Sequence, residues 1–142
     1  MKPVVELFRN RPAGLYKVAP EVTVFDGLKL LSDYEVGAML VMQGERLVGV
    51  FSERDYTRKV ALQGRNSRET PIADIMTREL VTVTPSTGTR TCMALMSQHK
   101  IRHLPVVDKD RVLGMISIRD IMDDIIATHE QTIAQLQTYI TS

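Results

Sequence analysis

The sequence predicts a mixed α/β (α+β) fold built from two copies of one β-α-β-β-α unit, and three observations carry that expectation. The chain of 142 residues matches itself at an offset of 65: residues 15–60 slide onto 80–125 without a gap and give eleven identities in 46 positions, against roughly three by chance at average composition. The apolar pattern repeats too, with Leu28 over Met93, Leu31 over Met96, Val36 over Ile101, Leu47 over Val112 and Phe51 over Ile116. Within each copy, β-rich runs bounded by turn residues alternate with stretches of helical period.

The elements follow in order. A short β-rich lead-in, Leu15 to Val18 and then Leu80 to Val83, stops at Pro20 or Pro85, which cannot donate to a central ladder. A helix comes next. Thr23 can cap one in which Phe25, Leu28 and Leu31 recur at helical spacing, and Met93 and Met96 fall on the matching face of the second, with Cys92 and Leu95. Pro105 disfavours helical geometry at Leu104, which predicts that this second helix ends near His103. Two apolar runs follow in each copy, Ala38–Met42 with Leu47–Phe51 and Leu104–Val107 with Val112–Ile116, joined by QGER and DKDR as hairpins. Ser52 and Ser117 then open a second helix, with Glu53 or Asp120 adding a carboxylate to its first turn.

The polar stretch QGRNSRETP, residues 63–71, reads as a linker between a first repeat at 1–62 and a second at 72–142. The last helix is expected to run on: Ile118, Ile121, Met122, Ile125, Ile126, His129, Ile133, Leu136 and Ile140 step by three and four in one apolar stripe. Such a stripe fits packing on its own module or on a second chain.

Charge and cysteine content narrow the function. Lys and Arg number 18 against 17 Asp and Glu, a formal net charge of +1, which does not fit a dedicated nucleic-acid binder. No apolar run is long enough for a spanning helix, and Arg9 and Arg11 stand where a signal peptide would be apolar, so a cytoplasmic protein is expected. The single Cys92 can form neither an intrachain disulfide nor a CxxC metal cluster and reads as a buried small hydrophobe.

The best-preserved piece between repeats is Gly-x-x-Ser-x-Arg-Asp, written GVFSERD at 49–55 and GMISIRD at 114–120. Both copies lie where a strand turns into a helix. The junction gathers a glycine, a hydroxyl, a cation and a carboxylate beside the N–H groups of a helix start. That set suits a ribose and a phosphate: a carboxylate accepts both hydrogen bonds of a vicinal diol, while Arg and the helix N-terminus favour an anion. For one copy, Ser as a helix cap and Asp as a dipole partner would suffice; two copies that keep Arg favour a site. A second cluster, IRHLPVVD at 101–108, sets Arg102 and His103 just before a strand, and Arg102 fits a phosphate ligand. The first repeat has Gly37 and Ala38 there, so the two halves cannot offer equal anion sites.

With the paired repeats, IADIMT, RHLPVVD and the Ser-x-x-Asp endings in view, residues 5–130 resemble a tandem pair of cystathionine-β-synthase (CBS) domains. The resemblance implies two β-α-β-β-α repeats packed through their sheets about a pseudo-twofold axis. It also implies a regulatory sensor of adenosine ligands, AMP, ADP, ATP, S-adenosylmethionine or NAD(H), bound in clefts between repeats. By resemblance Asp55 and Asp120 would hold ribose, with Ser52 and Ser117 as the motif hydroxyls. Arg54, Arg119 and Arg102, with His103, would meet phosphate, and Val18, Val83 and Thr84 would frame the base. The chain resembles the stand-alone bacterial type, which implies a homodimer acting on a regulated protein that the sequence does not name.

Two other functions compete. A protein-interaction module with ligand-free clefts would be marked by loss of the motif carboxylates, yet Asp55 and Asp120 are both present. An enzyme lacks a candidate: no nucleophile–base pair and no G-x-G-x-x-G, Walker-type or G-x-S-x-G motif occurs. Zinc on His99 and His103 would revive that reading, but no catalytic residue, metal site or catalytic cofactor is expected.

Overall fold

The computed structural model describes residues 2–8 and 15–141; Arg9 and Arg11, on which the leader reading rests, lie outside them, and so does the side chain of Ile140. In the first repeat β1 (Lys17–Val18) runs parallel to β2 (Ala38–Gln43), which pairs antiparallel with β3 (Arg46–Ser52). Helix α1 (Val24–Tyr34) makes the crossover. Thr23 is extended and its side chain accepts the Asp26 N–H at 3.2 Å, as a cap should. The helix stops where Glu35 turns left-handed, φ 56°, and its N–H reaches back to the carbonyls of Leu31 and Ser32. Ser52 caps α2 (Glu53–Tyr56), which widens into a π turn over Thr57–Ala61.

The second repeat has α3 (Thr89–His99), β4 (His103–Asp108), β5 (Arg111–Ser117) and α4 (Ile118–Thr141). Both hairpins use a two-residue turn that needs positive φ, met by Gly44 at 63° in one and by Lys109 at 57° at the matching position of the other.

Three expectations change. Helix α3 ends at His99, short of His103, because Lys100 takes the left-handed cap (φ 56°) that releases the chain into β4. The strand expected at Leu80–Val83 shrinks to one parallel bridge, Val83 to Val106. The cause is Pro105: at the matching position the Leu40 N–H donates to Tyr16 O at 3.1 Å, and proline has no N–H to offer Val81. The α4 stripe divides into two faces. Ile118, Ile121 and Ile125 pack on the second core, whereas Met122, Ile126, Ile133 and Leu136 are exposed. Among the described residues no helix is long and apolar enough to cross a membrane.

Each repeat has its own core, and each is completed by the segment preceding the other repeat. Ile72, Ile75 and Met76 pack with Val24, Leu31, Met39 and Phe51 of the first; Val4 is fully buried with Cys92, Leu104, Ile116 and Ile121 of the second. Backbone bonds fix both crossings. Ile72 N–H donates to Val22 O and Val24 N–H to Thr70 O, each at 2.8 Å; Val4 N–H donates to Thr87 O at 2.8 Å and Thr89 N–H to Lys2 O at 2.9 Å. The sheets meet where β2 and β3 lie against β5, placing the two Ser-x-Arg-Asp junctions at the seam between repeats.

Candidate ligand-binding cleft

Where β5 turns into α4, the backbone closes a small reciprocal network. Ser117 N–H donates to Asp120 Oδ2 at 2.8 Å, and Asp120 N–H donates to Ser117 Oγ at 3.1 Å. The first helical N–H, that of Ile118, donates to Arg102 O at 2.9 Å, which ties the residues before β4 to the helix start. These bonds hold Arg102, His103, Ser117, Arg119 and Asp120 along one wall of a cleft of about 930 Å³. The opposite wall comes from the first repeat: Tyr16, Tyr34, Glu35, Gly37, Ala38 and Leu40. Its volume lies in the range of small-molecule sites.

Tyr16 and Tyr34 stack with ring centroids 4.6 Å apart and planes 21° from parallel, both partly exposed. The first repeat thus lines the cleft with this stacked pair and Glu35, and the second with two guanidiniums, Arg102 and Arg119, and two carboxylates, Asp120 and Asp123. His103 is packed against Gly37, where a Cβ would stand 3.6 Å from its ring. Burial lowers its pKa below the ordinary 6.5, Asp120 pulls it back up, and Arg102 and Arg54 push it further down, so the ring is neutral at neutral pH.

The junction of β3 and α2 has the same capping network but a different use. Asp55, only 6% exposed, accepts Ser52 N–H and Oγ–H on Oδ2 and Thr77 Oγ1–H on Oδ1, all at 3.0 Å, and pairs with Lys59 at 3.0 Å. Thr77 in turn exchanges both backbone hydrogen bonds with Val50, at 2.9 and 3.0 Å. Asp55 thus anchors the strap leading into the second repeat. Arg54 reaches across to Lys100 O at 2.9 Å and supports the end of α3.

Of the residues expected to hold a ligand, Arg102, His103, Ser117, Arg119 and Asp120 are brought together in the cleft. Ser52, Arg54 and Asp55 do not line it, although Arg54 is near enough to act on the charge of His103. Val18 and Val83 are buried in the two cores, and Thr84 sits in a turn hydrogen-bonded to Ser86 and Thr87. The Tyr16–Tyr34 pair was not anticipated. Its signal lay in the offset, which sets Val81 against Tyr16 and His99 against Tyr34, aromatic in one repeat only. His99 ends a helix while His103 begins a strand, and among the described residues no group of three or more His, Cys, Asp or Glu could hold a metal. Cys92 is buried, which pushes its thiol pKa up and away from nucleophilic use.

The CBS domain family matches residues 4–62 and 72–127, one copy on each repeat. The chain belongs to the CBS-domain family. This CBS-domain chain is 42% identical over 123 residues to the mitochondrial CBS domain-containing protein CBSX3 of Arabidopsis thaliana, a match covering 83% of this chain and 60% of that protein. Among solved structures it is similar to a CBS-domain protein of Burkholderia ambifaria, with TM-score 0.85 and 40% identity over 89% of this chain and 95% of that one. A CBS-domain protein of Pyrobaculum aerophilum, solved as a complex with AMP, matches with TM-score 0.72 and 28% identity over 83% of this chain and 88% of that one.

Proposed function

We propose that the chain is a non-catalytic regulatory module that senses an adenine nucleotide (AMP, ADP, ATP or NAD(H)) in the cleft lined by Asp120. The observation that carries this reading is the meeting in one cleft of a helix-start carboxylate, two guanidiniums and a tyrosine stack from opposite repeats. In it Asp120 accepts the ribose diol, steadied by the Ser117 network; Arg102 and Arg119 meet phosphate, with His103 beside them; the tyrosines offer the base a flat wall. The AMP complex of the Pyrobaculum relative makes AMP the first ligand to try. Ser52, Arg54 and Asp55, the other expected set, are tied to the chain itself, which favours one ligand per chain.

A thermal-shift and calorimetric panel of AMP, ADP, ATP, NAD, NADH and S-adenosylmethionine tests this, because a ligand that binds only the folded state raises its melting temperature. Saturable binding near one equivalent is expected. Asp120→Asn should weaken it ten- to a hundredfold, the equivalent of about 1.5–3 kcal/mol for a hydrogen bond to a charged group. Asp55→Asn should lower the melting temperature and leave affinity unchanged. Equal losses of affinity from both substitutions would mean two working clefts; no response to any ligand at millimolar concentration would favour a protein-interaction module.

A further inference from the structure

We propose that the cleft takes up a proton on His103 when it takes up a phosphate, so that its affinity for a nucleoside phosphate rises as pH falls. The inference rests on the nucleotide reading and gives the same site a second input.

Geometry confines the ring. His103 opens β4, paired in the ladder with Ser117, and the residue before it accepts the Ile118 N–H on its carbonyl at 2.9 Å. Across the seam, a Cβ on Gly37 would stand 3.6 Å from Cε1 and 3.8 Å from Nε2 of the ring. The side chain is thus half-buried between the repeats, with one ring edge against the first repeat, and it lines the cleft.

The charges around it cancel before any ligand arrives. Arg54 on α2, Arg102 before β4 and Arg119 on α4 bring three cations; Glu35 at the end of α1, with Asp120 and Asp123 on α4, brings three carboxylates. The Tyr16–Tyr34 pair adds no charge. Lys100, exposed at the end of α3, enters through its carbonyl, which accepts an Arg54 Nη1–H at 2.9 Å and keeps that guanidinium in place. In this balance burial holds the ring neutral, Asp120 draws a proton towards it, and Arg102 and Arg54 oppose one. A phosphate brings about 1.5–2 negative charges that the cleft does not already match. Among the described residues lining the cleft, His103 is the only imidazole, the side chain whose charge changes between about pH 5 and 8. A proton on it restores part of the balance. Linkage makes the effect reciprocal: an anion that raises the ring's affinity for a proton is itself bound more tightly by the protonated ring.

Calorimetric titration of AMP and of adenosine into the full chain at pH 8 and pH 6 tests this. The gain in AMP affinity from the higher to the lower pH should be about fivefold larger in the wild-type chain than in His103→Gln, the low end of ordinary coupling between sites. The phosphate's own ionisation near pH 6 is common to both proteins and drops out of the comparison. Adenosine, which carries no phosphate, should show no such difference. Titrations of the wild-type chain at pH 7 in two buffers of different protonation enthalpy give a readout that needs no variant: AMP should bind with more proton uptake than adenosine does. Circular dichroism confirms that both proteins are folded at pH 6. Equal pH ratios in wild type and variant, or proton uptake with AMP no greater than with adenosine, overturn the inference and leave the nucleotide reading standing; no binding of AMP at either pH removes both.

Discussion

His103 stands half-buried in the cleft wall, and its protonation is linked to folding. The folded value lies below the ordinary 6.5, chiefly through burial. As pH falls below about 6.5 the unfolded chain takes up a proton that the folded chain refuses, so stability declines until the lowered folded value is reached; above that window it is flat. The urea midpoint should therefore drop between pH 7.5 and 5.5, and His103→Gln should reduce the drop; an identical drop in both proteins would remove His103 as its source. At this scale the sequence was legible where chemistry is local. Ser117, Arg119 and Asp120 fall within four residues, and their capping bonds follow from that spacing. Tyr16 and Tyr34 were not legible as a pair, because eighteen residues and a helix separate them and only the crossover of α1 stacks their rings.

Strand β3 shows how a missing side chain can seat an element. Gly49 lies opposite Val41 in the ladder, and a Cβ there would stand 2.6 Å from Met76 Sδ and 3.0 Å from Thr77 O. The methionine can swing aside, but Thr77 is held by its backbone exchange with Val50 and by Asp55. Gly49→Ala should destabilise by about 1–3 kcal/mol through overpacking, roughly 3–10 °C in melting temperature for a chain of this size; an unchanged melting temperature would show that the strap yields freely. The hairpins and the helix starts could be read in advance, since period and turn residues lie within each element. The lost second lead-in strand could not, because its cause sits some twenty residues away in Pro105 of the partner strand. The end of α3 was missed for a related reason: Lys100 is a residue type that does not advertise a left-handed turn.

The two repeats are laced together by the segments before them. Nothing in the internal similarity hinted at this: it begins at Leu15 and Leu80, after both segments, and Val4 shares no residue type with its offset partner Glu69. Val4, fully buried, serves the second core, and Ile72, Ile75 and Met76 serve the first. Neither hydrophobic core is complete within one half of the chain. A single cut in the exposed stretch at Leu62 to Gly64 would thus give two fragments, each carrying the plug that the other lacks. The nicked protein should run as two bands on a denaturing gel and elute at its uncut size from a native sizing column. Fragments that drift apart would mean that the peptide bond, and not the exchanged plugs, holds the halves as one body. If they stay together, the two halves could be produced as separate polypeptides and would find each other.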